Sequence, residues 1–133
     1  TANYNFTVTS EMRSVENQQL AEVTKVTDFV ISSNITALMM TQISQTREHF
    51  EILEDLLSDN GSELYMKSVN RYVQLNKPVD FYTVCASATR YNEVVIGYKK
   101  FLANGEFDIV LNPDKTNEVI FTENDNLILL AQE

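Results

Sequence analysis

The chain has 133 residues, of which 44% are hydrophobic and 22% are charged, a composition typical of one globular domain rather than of a disordered chain. Ten Lys and Arg against 19 Asp and Glu give a net charge of -9, which repels phosphate backbones and argues against nucleic acid as a partner. The three glycines lie far apart, which excludes a glycine-rich phosphate-binding loop.

The N-terminal part of the chain is typical of the end of an α/β unit. Alternating residues at 5–9 predict a strand, a helix is predicted over 15–23 behind a cap at Ser14, and residues 28–31 predict a second strand. This order favours parallel pairing of the strands, with the helix as the crossover. Because a strand comes almost at the first residue, we interpret the chain as a piece of a longer protein.

Residues 34–58 change to helical spacing and predict two linked helices. The first is expected behind a cap at Ser33 or Asn34, and the second behind a cap at Thr46 with its end near Ser58. Their apolar residues form more surface than one small lobe can cover, which predicts a homodimer, although an ordinary core contact remains the alternative. The predicted dimer interface consists of Ile35, Leu38, Met39, Ile43, Phe50 and Leu53.

The C-terminal half is predicted to be mainly strand, which makes the fold class α+β. One helix is expected behind a cap at Asp80, running toward Tyr91. Strands are predicted at 63–69, 93–98, 107–111, 119–121 and 126–130. No apolar stretch approaches the roughly 18 residues that span a bilayer, so this chain is not expected to insert into a membrane itself.

The residue chemistry predicts no catalytic residue, no cofactor-binding residue and no metal ligand. His49 is the only histidine and Cys85 the only cysteine, so neither a zinc site nor an intrachain disulfide can form from them. A hydrolase would need His49 as its base, yet the residue falls in the first turn of a predicted surface helix. A binding or regulatory module is therefore favoured over an enzyme.

Two acidic segments approach the spacing of a calcium-binding loop. In residues 112–123, Asn117 stands where such a loop needs glycine, and Pro113 follows the first ligand position. In the other segment, Gly61 has the place of the loop glycine, but Leu56 then stands at the first ligand position. We expect solvated carboxylates in both places, with weak calcium binding as the remaining alternative.

Five phrases of the sequence, in order, resemble the cytosolic part of the CASTOR and POLLUX family of ion channels. They are DFVISSN at 28–34, GSELYMK at 61–67, EVVIGY at 93–98, LNPDK at 111–115 and DNLIL at 125–129. The sequence departs from the expected pattern at Asn92 and Asn124, where glycine is expected.

The resemblance implies a fold like that of the regulator of potassium conductance, or RCK, domains. Residues 1–33 would be the end of a Rossmann-like lobe, 34–60 the crossover helices, and 61–133 a C-terminal lobe of the RCK or TrkA-C type. In the resembling channels the crossover helices swap between neighbouring subunits, which implies a homodimer here and a larger ring in the full-length channel.

The function that the resemblance implies is that of a cytoplasmic regulatory and assembly domain of a cation channel. The alternative is a stand-alone ligand-binding or dimerisation module of a potassium transport regulator. A pore-forming segment upstream in the full-length gene would distinguish the two.

Overall fold

A computed structural model describes residues 9–12, 28–58 and 61–132 of the chain. Contacts divide the chain into two compact units, Thr1–Leu53 and Glu54–Glu133, and each is described by itself. The helix predicted over 15–23 and all but the last residue of the strand predicted at 5–9 lie outside the described residues. The predicted α+β class is confirmed.

Two short parallel strands open the described part of the N-terminal unit. Strand β1 is Thr9–Met12 and strand β2 is Asp28–Ile31, paired so that Thr9 lies opposite Asp28 and Met12 opposite Ile31. The parallel pairing and the position of β2 confirm the prediction, while β1 begins where the predicted strand ended. An intervening segment of fifteen residues, from 13 to 27, is long enough for the crossover that parallel strands require.

Two helices follow, α1 at Ser32–Gln45 and α2 at His49–Leu57. The predicted cap of α1 was wrong, because the helix starts directly after β2 and its N-cap is Ile31, which makes no side-chain cap hydrogen bond. The predicted cap of α2 was wrong as well. Thr46 is the C-cap of α1, where its amide donates to the Gln42 carbonyl, and residues 47–48 form a turn before α2 begins. The end of α2 near Ser58 is confirmed.

The C-terminal unit is built on a four-stranded antiparallel sheet in the order β3-β8-β5-β6. A second antiparallel pair joins β4 to β7. The strands are β3 at Glu63–Ser68, β4 at Pro78–Asp80, β5 at Val94–Phe101, β6 at Phe107–Leu111, β7 at Glu118–Ile120 and β8 at Asn126–Ala131. Five of these six strands lie where the sequence predicted them. Strand β4 was missed because it is short and begins with Pro78, and a proline is more typical of a loop than of a strand.

Helix α3, Phe81–Thr89, covers one face of this sheet. As predicted, Asp80 caps it: the Asp80 carboxylate accepts a hydrogen bond of 2.7 Å from the Thr83 amide. Three residues of α3 are fully buried, namely Phe81, Val84 and Ala88. They pack with Val69, Phe121, Leu127 and Leu129 into the core of the unit.

None of the described helices is long and apolar enough to cross a membrane. The longest of them, α1, has 14 residues, which corresponds to about 21 Å at 1.5 Å per residue. The hydrocarbon core of a bilayer is about 30 Å thick.

Asn92 lies in the left-handed region of the backbone, with a φ of 57°. This conformation costs an ordinary residue roughly 1 to 2 kcal/mol, whereas Asn is tolerated and Gly is unstrained. The departure from glycine at this position is thus chemically conservative. Asn124, where glycine is also expected, is not among the described residues with positive φ.

We expect Asn92→Ala to lower the free energy of unfolding by about 1 kcal/mol and Asn92→Gly to leave it unchanged or raised. Urea denaturation followed by circular dichroism measures both. Asn124→Ala is the matched control, because it removes the same side chain from an exposed turn without left-handed strain. Equal losses in the two alanine variants would contradict the assignment of strain to residue 92.

Candidate functional site

The helical pair of α1 and α2 has no buried residue. Of the six residues predicted to form a dimer interface, three are exposed: Leu38 at 68%, Ile35 at 45% and Phe50 at 43%. The other three, Met39, Ile43 and Leu53, are half-buried. Both helices therefore leave apolar side chains accessible to a further surface.

Exposed apolar residues outside the predicted set also occur on the helical pair. Met40 is 66% exposed, Ile52 56% and Leu57 70%. On α1, the predicted residues follow the spacing i, i+3, i+4 and i+8 from Ile35, which puts them on one side of the helix, while Met40 lies away from it.

The corner between α1 and α2 is fixed by His49, the first residue of α2. Its ring Nδ1 lies 3.1 Å from the Gln42 main-chain carbonyl. A carbonyl can only accept, so Nδ1 carries the hydrogen in this contact. The His49 amide in turn donates to the Thr46 carbonyl at 3.1 Å. The histidine that sequence analysis considered as a catalytic base is half-buried, and this nitrogen holds the helix corner.

A cavity of about 330 Å³ lies at the same corner. Gln42, His49, Ile52 and Leu53 line it. One of these, Leu53, belongs to the predicted dimer interface. Two aliphatic side chains at an accessible hollow suit an apolar side chain of a partner better than a charged ligand.

The acidic segment around residue 114 uses its carboxylate internally. Oδ1 of Asp114 accepts hydrogen bonds from the Thr116 amide at 2.8 Å and from its hydroxyl at 2.7 Å. These bonds hold the pKa of Asp114 below its ordinary value. Across the described ranges, no group of three or more His, Cys, Asp or Glu side chains has the geometry to hold a metal ion.

Asp125 is a fully buried carboxylate in the C-terminal unit, and sequence analysis gave it no role of its own. It accepts 2.8 Å bonds from the amides of Phe101 and Thr122 and a 3.1 Å bond from Lys100 Nζ. Burial alone would raise its pKa, but these bonds outweigh burial and hold the pKa below its usual value. The Asp125 carboxylate, directly before β8, thus links the end of β5 at Phe101 to the turn at Thr122 that precedes β8.

Glu93 is the second buried carboxylate of this unit. Lys67 Nζ and the Tyr72 hydroxyl each donate to it at 2.6 Å. Burial acts to raise its pKa, yet the two donors bring it below the ordinary value. The pKa of Tyr72 is raised by burial and by its bond to Glu93. Both buried carboxylates thus accept hydrogen bonds from donors of the same unit and stabilise it.

The pH dependence of stability follows from these two carboxylates. A depressed folded-state pKa adds stability above the unfolded value of about 4, and that contribution is lost as pH falls through the folded pKa. We therefore expect the free energy of unfolding to be constant between about pH 7 and 5.5 and to decline below about pH 4. Repulsion among the many negative charges weakens on acidification and by itself would raise the free energy of unfolding. The urea titrations should therefore be done at about 0.5 M salt, where long-range repulsion is screened. Stability that rises on acidification to pH 3 would contradict this role.

The chain is similar to the CASTOR and POLLUX ion channels. It is 23% identical over 126 residues to the ion channel CASTOR of Lotus japonicus, covering 95% of this chain and 14% of that protein. The probable ion channel POLLUX of Oryza sativa subsp. japonica is 26% identical over 112 residues, or 84% of this chain and 11% of its own. These matches confirm the resemblance predicted from the five phrases.

The chain was also compared with a further ion channel, with solved structures and with protein-family models. The ion channel DMI1 of Medicago truncatula is 24% identical over 93% of this chain and 14% of its own length. The solved structure of the GsuK channel aligns with 95% of this chain and 20% of its own length at 11% identity, with a TM-score of 0.40. No protein-family model matches the chain. The chain thus spans about one seventh of the curated relatives it matches.

Proposed function

We propose that the chain is a cytoplasmic, non-catalytic regulatory and assembly module of a cation channel. The observation that carries this proposal is the similarity of 95% of the chain to a segment of proteins named as ion channels. The matching segment makes up 14% of such a protein, so we assign the chain the role of one part of a larger protein. In this proposal, ion conduction belongs to other parts of the parent protein.

The module is divided into three parts in this proposal: residues 1–33 end a Rossmann-like lobe, 34–60 form the crossover helices, and 61–133 form the C-terminal lobe of the RCK type. The parallel pairing of β1 with β2 supports the first part, since parallel strands are typical of such lobes. Helices α1 and α2, in which no residue is buried, support the second.

Two copies of the chain associate through α1 and α2 in this proposal. Each large apolar side chain that becomes buried contributes roughly 1.5 to 3 kcal/mol. Leu38, Ile35 and Phe50 supply accessible apolar surface from each copy. In a two-fold contact the same residues act twice, so a small set of side chains is enough for a dimer.

Movement of the helical pair is transmitted to β1 and β2. Helix α1 begins at Ser32, the residue directly after β2, so no loop separates strand from helix. The Ser32 hydroxyl also donates to the Met12 carbonyl of β1 at 3.5 Å. A rotation of α1 caused by a change in dimer packing therefore displaces both strands, which would pass the movement toward a pore.

The parent gene provides the first test. We expect the DNA upstream of this segment to encode membrane-crossing helices of a pore. We also expect liposomes that contain the purified parent protein to conduct cations across their membrane. Leu38→Glu in that protein is expected to change the flux through its effect on assembly. A complete parent protein without membrane-crossing helices would overturn the channel proposal and favour a stand-alone regulator.

A screen for hydrolase activity provides the second test. We expect no turnover by the chain that depends on His49, because the residues that line the cavity beside it, Gln42, Ile52 and Leu53, offer no hydroxyl or thiol for it to activate. Turnover of an ester or phosphoester substrate that disappears in His49→Ala would overturn the non-catalytic assignment.

A further inference from the structure

The four-stranded sheet of the C-terminal unit has one face toward the core and one face toward solvent. Along β3 the exposure alternates, with Leu64 at 53% and Met66 at 58% on the solvent side. The strand register places the same side of β8, β5 and β6 next to them. We call this side the outer face and define it by Leu64, Met66, Val94, Phe107, Ile109 and Leu111.

The outer face is apolar where a solvated face is normally polar. An antiparallel sheet with one face in water usually alternates apolar residues inside with polar residues outside. Here Val94 and Leu111 are each 61% exposed, Phe107 54% and Ile109 46%. Six large apolar side chains with about half of their surface free expose several hundred Å², which is comparable to the largest apolar patch of a typical monomer, and such a patch is often functional.

The outer face also differs from the rest of the chain in charge. The chain has 19 acidic residues, yet the strand positions that point to this side carry no carboxylate in the sheet as the structure describes it. The one cation on it is Lys99, whose Nζ lies 3.9 Å from the centre of the Phe107 ring and 5.1 Å from that of Phe101. Depletion of charge at the centre of an apolar patch is characteristic of protein interfaces.

We infer that the outer face is a self-association surface, on which a second copy of the chain packs sheet against sheet. Charge favours this occupant over an acidic membrane surface. Two copies with a net charge of -9 repel each other wherever carboxylates meet, and this face lets them approach without opposing carboxylates. An acidic membrane surface would require several lysines or arginines, whereas this face offers one lysine that is already held by aromatic rings.

The size of the face sets the strength of the contact. Several hundred Å² per copy lies below the roughly 800 Å² per partner of a standard interface. The contact is therefore weak by itself, in the high micromolar range, and becomes significant when copies are already held near one another. It uses no residue of α1 or α2, so it is independent of the helix-mediated dimer proposed above.

Sedimentation velocity of the 133-residue chain over low to high micromolar concentrations tests the inference. The background is Leu38→Glu, which removes the proposed helix contact. In this background we expect residual self-association, and we expect Leu111→Glu or Met66→Glu to weaken it at least tenfold, since each places a carboxylate twice in a two-fold contact. The two substitutions lie on opposite edge strands of the sheet at positions that are more than half exposed, so both variants should fold.

Tyr82→Glu is the matched control. Tyr82 is 67% exposed on α3, which covers the core side of the sheet, so its replacement should leave association unchanged. A Leu38→Glu chain that stays monomeric at high concentration overturns the inference. Equal behaviour of Leu111→Glu and Tyr82→Glu overturns it as well. Failure of the helix contact would instead appear as equal association of the wild type and Leu38→Glu, with Leu111→Glu still disruptive.

Discussion

Replacing Asp125 by alanine is expected to lower the free energy of unfolding by about 3 to 4 kcal/mol. The carboxylate is fully buried, and its removal leaves the amides of Phe101 and Thr122 without their acceptor. Lys100 would lose the partner that offsets its charge at the edge of the core. The Lys100 side chain is 32% exposed and can turn partly toward water, which keeps the loss in the lower part of the range for broken buried pairs.

Urea denaturation of the wild type and the variant measures this difference. Asp114→Ala is the control, because Asp114 also accepts an amide and a hydroxyl hydrogen bond but does so on the exposed surface. Water can replace those contacts, so the control should lose no more than about 1 kcal/mol. Asp125→Asn should fall between the two, since the amide oxygen still accepts one bond while the charge is lost. A loss in Asp125→Ala no larger than in Asp114→Ala would show that the buried carboxylate does not stabilise the unit.

The sequence allowed the elements of the C-terminal unit other than β4 to be predicted, because their local signals agree with the packing of the unit. Asp80 can satisfy the Thr83 amide within one helical turn, and the strands at 107–111 and 126–131 are runs of apolar residues rich in Ile, Leu and Val, as strands commonly are. The caps of α1 and α2 could not be predicted in the same way. Ser33 and Asn34 are good cap residues, but α1 continues directly from β2 and includes both within its first turn.

The two buried carboxylates could not be identified from the sequence. Glu93 and Asp125 stand just before apolar strands, where an acidic residue normally marks an exposed strand end. Their partners are distant in the chain: Lys67 lies 26 residues before Glu93, and Lys100 lies 25 residues before Asp125. Only the antiparallel pairing of β3, β5 and β8 brings these charges together. The five phrases that carry the resemblance include both carboxylates, but a phrase by itself does not distinguish a buried charge from a surface one.

The outer face of the sheet was missed for a related reason. Leu64 and Met66 were included in a predicted strand, and an exposed apolar residue in one strand is unremarkable. The face becomes visible only when the register puts β6 and β5 next to β8 and aligns their solvent-side residues. The outer face therefore follows from the order and register of the strands and not from the composition of any one of them.

Leu38→Glu is expected to convert the proposed dimer into a monomer. Leu38 is the most exposed of the six predicted interface residues, at 68%, so the substitution should not disturb the fold of a single copy. Glutamate also has a helix propensity close to that of leucine, and α1 should remain helical. In the dimer each copy would bury an unpartnered carboxylate, which costs several kcal/mol on each side of the two-fold contact. A dimer of micromolar affinity has only about 8 kcal/mol to lose.

Light scattering at micromolar concentration compares the wild type with this variant and with Met40→Glu. Met40 is 66% exposed on the same helix but lies about 200° around its axis from Leu38, so it is matched in exposure and charge change while it faces another direction. We expect a dimer for the wild type and for Met40→Glu, and a monomer for Leu38→Glu. A wild-type monomer would remove the helix contact, and equal disruption by both variants would show that added charge rather than position 38 decides association. If Leu38→Glu disrupts the dimer and Met40→Glu does not, the dimer contact lies on the side of α1 that carries Leu38, because the two positions are nearly equal in exposure.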